Sequence, residues 1–206
     1  MTDSKQTKIQ HKNRRKILGA ALEVFSTYGY RGTTIDQIAK AAEMSKSSLF
    51  YYFSSKTEIY VALLSETLDG WLKPLTQLDP EGEPADEISA YIELKLEMSR
   101  NNPKASRLFA NEILHGAPNI MDIITGELKT LVDEKCKVLQ MWMDQDKLVK
   151  VSPYHLIFMI WAATQHYADF EVQVDAVIEG CENRDACFDD ARDTLKTIFL
   201  NGLLVR

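Results

Sequence analysis

Apolar residues recur along this 206-residue chain at the three- and four-residue intervals of helix faces. The first stripe ends just before Gly29 and consists of Ile17, Ala21, Val24, Phe25 and Tyr28. No segment alternates cleanly between apolar and polar residues, and no Asn-Gly or Asp-Gly hairpin turn occurs. The pattern therefore predicts an all-α fold.

Helix-start signals divide the first part of the chain into short helices. Thr34 and Gln37 have capping-box spacing, Ser55 and Glu58 repeat it, and Ser45 can cap a helix between them. A long helix follows Ser55, and later helices are expected at roughly 86–100, 103–114, 119–145, 153–172 and 185–202. We therefore predict two domains: residues 1–55, three short helices with a basic N-terminal tail, and residues 56–206, a larger helical body.

The overall net charge of −6 hides a division within the chain. Residues 1–60 contain ten Lys and Arg against five Asp and Glu, a net charge of +5, whereas residues 61–206 carry −11. A basic first domain on an acidic body indicates that only the first domain meets a polyanion.

The strongest local motif is the segment TTIDQIAKAAEMSKSSLFYYF, residues 33–53. Two helices of about eight residues are joined by a very short turn, and three alanines allow close approach, so the segment predicts a helix-turn-helix. The second helix opens on small hydroxyl side chains and Lys46, a surface suited to DNA phosphates. Ordinary capped core helices would show the same serines, but without the basic tail. In that tail, Lys12, Arg14, Arg15 and Lys16 are either solvated or in contact with DNA.

Residues 17–60, ILGAALEVFSTYGYRGTTIDQIAKAAEMSKSSLFYYFSSKTEIY, resemble the DNA-binding domain of the TetR family of transcriptional regulators. The resemblance implies a homodimer with one such domain per subunit, an operator in double-stranded DNA, and a small-molecule pocket in the body. It also implies a set of residues that face DNA: Thr33, Thr34, Ser45, Lys46, Ser47, Ser48, Tyr51, Tyr52 and Lys56.

The helix expected at 153–172 is apolar nearly all round, so it must be covered on every side. The last helix also carries an apolar stripe. Together they predict a four-helix dimer interface with two helices from each subunit, although an intramolecular core would show the same pattern.

Polar groups within the body indicate where a ligand binds. Gln165 offers a donor and an acceptor in one plane, which suits the edge of a small planar amide or imide. Trp71 and Trp161 can supply flat apolar walls, and Arg107 can pair with Glu112 or Asp169 or bind an oxygen-rich ligand. Each residue taken alone is equally compatible with ordinary core packing.

Three stretches of the body are similar to a pyrimidine-responsive member of the family: YIELKLEMSRNNPKASRLFANEILHGAP, MDIITGELKTLVDEK and HLIFMIWAATQHYADFEVQVDAV. This resemblance implies an effector such as uracil or thymine. It also implies that the protein regulates pyrimidine-metabolism genes, and we expect it to act as a repressor. The pocket residues that it implies are Trp71, Gln165, His166 and Tyr167, supported by Arg107 and Trp161. The alternative is a TetR-family regulator of a different effector, such as an apolar compound or drug.

Other functional classes find little support in the sequence. The chain has no H-E-x-x-H, P-loop or G-x-G-x-x-G motif and no placed Ser/His/Asp set, so we expect no catalytic residues. His155 and His166 lie about 16 Å apart along one helix, too far to share a metal ion. We therefore expect neither metal nor cofactor. No apolar run follows the basic N-terminus and none spans a bilayer, so we expect a cytoplasmic protein without membrane contact.

Overall fold

The computed structural model describes residues 2–178 and 183–205, with side chains from residue 8 onward. The all-α prediction is confirmed: among the described residues, the only β pairing is an isolated bridge between Leu148 and Leu204. Eleven α-helices and one π-helical segment follow one another along the described chain. They divide into two compact units, unit 1 (Met1–Leu68 and Arg107–Met121) and unit 2 (Asp69–Ser106 and Asp122–Arg206). The sequence-based boundary after residue 55 stays a prediction.

Unit 1 begins with helices α1 (Thr2–Gly32), α2 (Ile35–Ala41) and α3 (Lys46–Tyr52). The basic N-terminal segment, interpreted as a tail from the sequence, belongs to α1. Its Lys, Gln and Arg side chains are good helix formers, and neither Pro nor Gly interrupts it before Gly19. The predicted stop at Gly29 is a kink, with φ 68° and ψ 171°, beyond which a last helical turn continues.

Side-chain caps begin α2, α3 and α4 (Lys56–Thr76) much as the sequence predicts. Thr34 and Gln37 form the complete capping box of α2. At α4, the Ser55 hydroxyl accepts from the Glu58 N–H at 3.1 Å, but the Glu58 carboxylate accepts from the backbone and hydroxyl of Ser54 at 2.7 and 2.6 Å. In this second capping box, the carboxylate of Glu58 therefore bonds to the residue before the cap, Ser54, and not to Ser55 itself.

Unit 2 contains the end of α4, α5 (Pro84–Asn101), the first turn of α6 (Pro103–Leu114), and every later helix. The predicted helix at 119–145 is three elements: α7 (Met121–Ile123), a π-helical segment (Ile124–Leu128) and α8 (Lys129–Asp144). The predicted helix at 153–172 is α9 (Pro153–Asp169), which is capped by Phe170 and followed by α10 (Glu171–Val177). Helix α11 (Arg184–Leu203) is the last.

The core of unit 2 is built from α5, α8, α9 and α11 around the fully buried Trp142, whose indole N–H donates to the Pro80 carbonyl at 3.1 Å. One face of α9 joins this core through Leu156, Ile157, Ile160, Thr164 and Ala168. Other apolar side chains of α9 and α11 remain exposed in the single chain, namely Phe158 (49%), Met159 (61%) and Ile198 (62%). Only part of the apolar surface of α9 is thus buried within the single chain.

Candidate functional site

Helix α3 is buried against unit 1 on one side and exposed on the other. Leu49 and Phe53 are buried in unit 1, with 0% and 1% of their surface exposed. The Ser45 hydroxyl caps the helix by accepting from the Ser48 N–H at 3.0 Å. Between these anchors, Lys46, Ser47 and Ser48 are exposed. The first turn of the helix therefore presents small hydroxyl donors and one ammonium. These groups can donate to the phosphate oxygens and base-edge acceptors of duplex DNA.

Charge on this surface is locally paired. The Lys46 ammonium lies 3.0 Å from the Asp36 carboxylate of α2, and the Lys16 ammonium lies 3.2 Å from Glu43 in the turn before α3. Exposed pairs of this kind contribute little free energy. A DNA phosphate can therefore compete for either ammonium.

Tyr51 and Tyr52 follow at the end of α3 with their rings perpendicular at 5.0 Å between centroids. Tyr51 is 69% exposed, and Tyr52 is half-buried. Their hydroxyl oxygens accept from the side-chain amides of Gln10 at 3.3 Å and Asn13 at 2.8 Å. Both tyrosines are thus held from α1 while remaining at the surface.

Thr33 and Lys56 lie differently from the other seven predicted DNA-facing residues. Thr33 is 2% exposed, and its hydroxyl donates to the Gly29 carbonyl at 2.7 Å, so its side chain belongs to the interior of unit 1 and not to the exposed surface. The Lys56 ammonium donates to the Tyr30 and Thr33 carbonyls, both at 2.8 Å. It closes the end of α1, whereas Thr34 stays exposed as the α2 cap.

In unit 2, a buried ammonium marks the strongest candidate for a ligand site. Lys95 on α5 is 3% exposed, and its ammonium lies 4.8 Å from the centroid of the Trp71 ring. Desolvation lowers the Lys95 pKa to about 8, against the opposing attraction of Asp169. This ammonium lies over an aromatic face and is attracted by the Asp169 carboxylate, and among the described residues no fully buried side-chain nitrogen or oxygen is without a hydrogen-bond partner. A desolvated ammonium is stabilised by a ligand that brings a carbonyl or anionic oxygen to it, so the arrangement favours such a ligand.

Further polar groups of unit 2 lie on α5, α6 and α9. Asp169 on α9 accepts from the Ser106 hydroxyl on α6. The Trp161 indole N–H donates to the Tyr91 hydroxyl at 2.6 Å, and burial raises the pKa of Tyr91. Because α5 and α9 pack side by side, their polar side chains meet across one helix pair.

Gln165 lies between Trp161 and Asp169 on α9, one turn from each. It is half-buried, and its amide has no hydrogen-bond partner among the described residues. His166 is exposed and stacks on Phe170 at 5.0 Å, whereas Tyr167 packs against Phe188 of α11 at 5.7 Å. Gln165 thus lies on the helix face shared by Trp161 and Asp169, whereas His166 lies at the exposed surface.

Arg107, the remaining predicted pocket residue, is half-buried on α6 in unit 1. Glu112, considered as its partner from the sequence, accepts instead from the Tyr60 hydroxyl at 3.1 Å and from the Asn119 N–H at 2.8 Å. Burial and this carboxylate both raise the pKa of Tyr60.

Sequence reasoning missed Lys95, Tyr91 and Ser106. The signal for Lys95 was present, because it falls on the apolar stripe of α5 with Ile88, Tyr91, Ile92, Leu96 and Ser99. A lysine on a buried stripe is unusual unless it is paired. Within the described residues, no group of three or more His, Cys, Asp and Glu is arranged to hold a metal ion. No described helix combines the length and apolarity needed to cross a bilayer.

Two protein-family models together match residues 17–206 of the chain. Residues 17–63 match the model for bacterial regulatory proteins of the tetR family, and residues 64–206 match the model for the C-terminal region of YcdC-like proteins. The chain is 44% identical over 205 residues to the HTH-type transcriptional regulator RutR of Escherichia coli K12, covering 100% of this chain and 97% of RutR.

Solved structures share the fold at lower identity. The ketosteroid transcriptional regulator KstR2 of Mycobacterium tuberculosis superposes with a TM-score of 0.70 at 18% identity, covering 94% of this chain and 95% of KstR2. AibR, solved with isovaleryl coenzyme A and operator DNA, superposes with a TM-score of 0.69 at 17% identity, covering 90% of this chain and 97% of AibR.

Proposed function

This chain belongs to the TetR family and is a ligand-responsive, DNA-binding transcriptional regulator, and from that premise we propose that its effector is a pyrimidine base such as uracil or thymine. In this proposal it represses pyrimidine-metabolism genes from the cytoplasm, and the bound base changes its affinity for DNA. Full-length similarity to RutR and the resemblance of the body to pyrimidine-responsive relatives support this assignment.

The buried ammonium of Lys95 carries the proposal. Uracil and thymine each offer two carbonyl oxygens and two ring N–H groups on a flat frame. One carbonyl accepts from Lys95, and the Gln165 amide pairs with a neighbouring donor–acceptor edge. The Trp71 ring, which is buried next to Lys95, packs against the flat face of the base. A ligand that satisfies buried polar groups gains more affinity than its apolar area alone supplies.

Helix α4 provides a route from effector to DNA. It runs unbroken from Lys56, at the end of the DNA-binding helices, to Thr76, and Trp71 lies fifteen residues, about 22 Å, after Lys56. A base that displaces Trp71 shifts the same helix that follows α3. The two dimer states must differ in effector affinity for this to alter DNA binding, and a coupling of about 1–3 kcal/mol changes DNA affinity several-fold to about 150-fold.

Calorimetric titration of the full-length protein tests the effector. Uracil and thymine should bind with a single-site isotherm, and adenine, an amino acid mixture and an apolar acid should not. Binding of the apolar acid without binding of either pyrimidine would transfer the assignment to the alternative effector class.

Two variants then locate the site. Lys95→Met should reduce uracil affinity about tenfold or more, because a hydrogen bond from a charged donor contributes about 1.5–3 kcal/mol. Lys150→Met removes an exposed lysine and serves as the control with unchanged affinity. If wild-type protein binds uracil and both variants bind equally well, the effector stands but its placement at Lys95 is wrong.

We also propose that the regulator is a homodimer. The support is the exposed apolar surface left on α9 and α11, where Phe158, Met159 and Ile198 are each about half or more exposed in the single chain. Large exposed apolar side chains on two helices support an interaction surface on these helices, and two-fold dimers match palindromic operators.

A further inference from the structure

The side chain of Lys95 is surrounded by groups from other helices of unit 2. Its ammonium lies over the buried Trp71 ring of α4 and is attracted by the Asp169 carboxylate of α9. That carboxylate accepts a hydrogen bond from the hydroxyl of Ser106, a fully buried residue of α6. Lys95 therefore combines an amine, a hydrogen-bonded carboxylate and an aromatic wall, with only 3% of the residue exposed to water.

The burial of Lys95 favours the neutral, nucleophilic form of its amine. A lysine side chain becomes a nucleophile when an apolar environment removes water from the ammonium. Desolvation lowers the pKa of Lys95 to about 8, so about a tenth of these side chains are neutral at pH 7. An exposed lysine with the ordinary pKa of 10.5 is neutral in only about one molecule in three thousand. Lys95 therefore offers far more free amine than a surface lysine.

An imine between Lys95 and an aldehyde preserves the favourable surroundings of the ammonium. When the amine attacks the carbonyl carbon, a C–N bond forms, and the carbonyl oxygen leaves as water with two hydrogens from the nitrogen. Counted from the ammonium, the product is a protonated imine with the same single positive charge. The Trp71 face and the Asp169 carboxylate therefore stabilise the adduct as they stabilise the ammonium. The burial of the site also limits hydrolysis of the imine.

We propose that Lys95 is a covalent binding site for small aldehydes, with which it forms a reversible imine. Asp169 carries two protons in turn from the nitrogen to the departing oxygen, so no further acid or base is needed. Ser106 is a positioning residue, because its hydroxyl holds the carboxylate. The aldehyde must be small, since it has to reach a buried amine. The protein thereby has a second class of effector, an electrophilic carbonyl compound, beside the proposed pyrimidine.

Reductive trapping of the full-length protein tests the site. Propanal forms the imine, and sodium cyanoborohydride adds hydride to the imine carbon to give a stable secondary amine. Peptide mass spectrometry then gives a labelling rate for each lysine. At pH 7, Lys95 should be labelled about tenfold or more faster than the exposed Lys150, because its neutral fraction is larger. Pyridoxal phosphate, a bulky and charged aldehyde, should label Lys150 in preference to Lys95.

Asp169→Asn separates proton transfer from simple attraction. Loss of the carboxylate charge increases the neutral fraction of Lys95, so a carboxylate that only attracts the ammonium predicts faster labelling in the variant. A carboxylate that carries protons predicts labelling several-fold slower, which is the result that we expect. Faster labelling would overturn the role of Asp169. Asp144→Asn, an exposed change at the end of α8, is the matched control and should leave the rate at Lys95 unchanged.

The comparison of Lys95 with Lys150 in the wild-type protein decides the outcome. If propanal labels Lys95 no faster than Lys150 while circular dichroism shows the protein folded, the proposal is wrong. Lys95→Met should lose the fast-forming adduct in intact-mass spectra and keep the slow ones. The trapping reaction contains no pyrimidine, so its failure leaves the proposed uracil effector standing, and failure of the uracil titration leaves this site standing.

Discussion

At the scale of single residues, the buried Lys95 ammonium carries a cost that depends on pH. Its pKa is about 8 in the folded chain and ordinary in the unfolded chain, so the unfolded state binds more protons between pH 8 and 10.5. Stability therefore rises with pH across this window, and the full cost, up to about 3 kcal/mol, is present below pH 8.

Comparison of wild type with Lys95→Met isolates that cost. We expect Lys95→Met to unfold at higher urea concentration than wild type at pH 7, with the difference shrinking by pH 10. Equal differences at both pH values would show that the ammonium is not desolvated in the folded chain.

The Glu112 carboxylate is a second residue whose partners predict its effect. It is 5% exposed and accepts from Tyr60 and Asn119. Glu112→Gln places an amide donor among these donors, so the free energy of unfolding should fall by about 1–3 kcal/mol in urea titrations. Glu66→Gln, an exposed change on α4, should alter it by less than about 0.5 kcal/mol. Similar values for the two variants would contradict the buried network.

At the scale of elements, α1 contains two glycines with opposite roles. Gly29 has φ 68° and ψ 171° at the kink, a conformation that is essentially restricted to Gly and costs an L-residue about 1–3 kcal/mol. Gly19 lies within the helical run, where Gly is about 0.5–1 kcal/mol less favourable than Ala. A Cβ at either position meets no atom within 4 Å. Thermal unfolding should therefore show Gly29→Ala destabilised and Gly19→Ala stabilised, and the same sign for both would refute the kink.

Element starts and stops were largely predictable because they depend on neighbouring residues. The Thr34 capping box, the Ser45 cap and the Gly29 kink are local chemistry. The π-helical segment at Ile124–Leu128 and the break at Phe170 have no comparable signal, because packing within the unit decides them. The apolar stripe of α5 places Lys95 on the buried side, but the Trp71 ring and the Asp169 carboxylate that surround its ammonium come from α4 and α9, which the pattern of one helix does not bring together.

At the scale of the whole molecule, the exposed surface of α9 and α11 predicts the oligomeric state. Phe158→Lys combined with Ile198→Lys should convert the dimer to a monomer in light scattering after size exclusion, because two charges would be buried. Tyr28→Lys, which replaces an exposed aromatic on α1, should leave the dimer intact. If the double variant remains dimeric at micromolar concentration, the interface lies elsewhere.

The ammonium of Lys56, bonded to the carbonyls of Tyr30 and Thr33, has a consequence for genetics. A screen for derepressed colonies would recover substitutions at this codon by two routes, weaker operator contact or an unstable α1–α2 corner. Protein abundance in the cell distinguishes them: a stable, abundant variant has lost contact with DNA, whereas a proteolysed one has lost the corner.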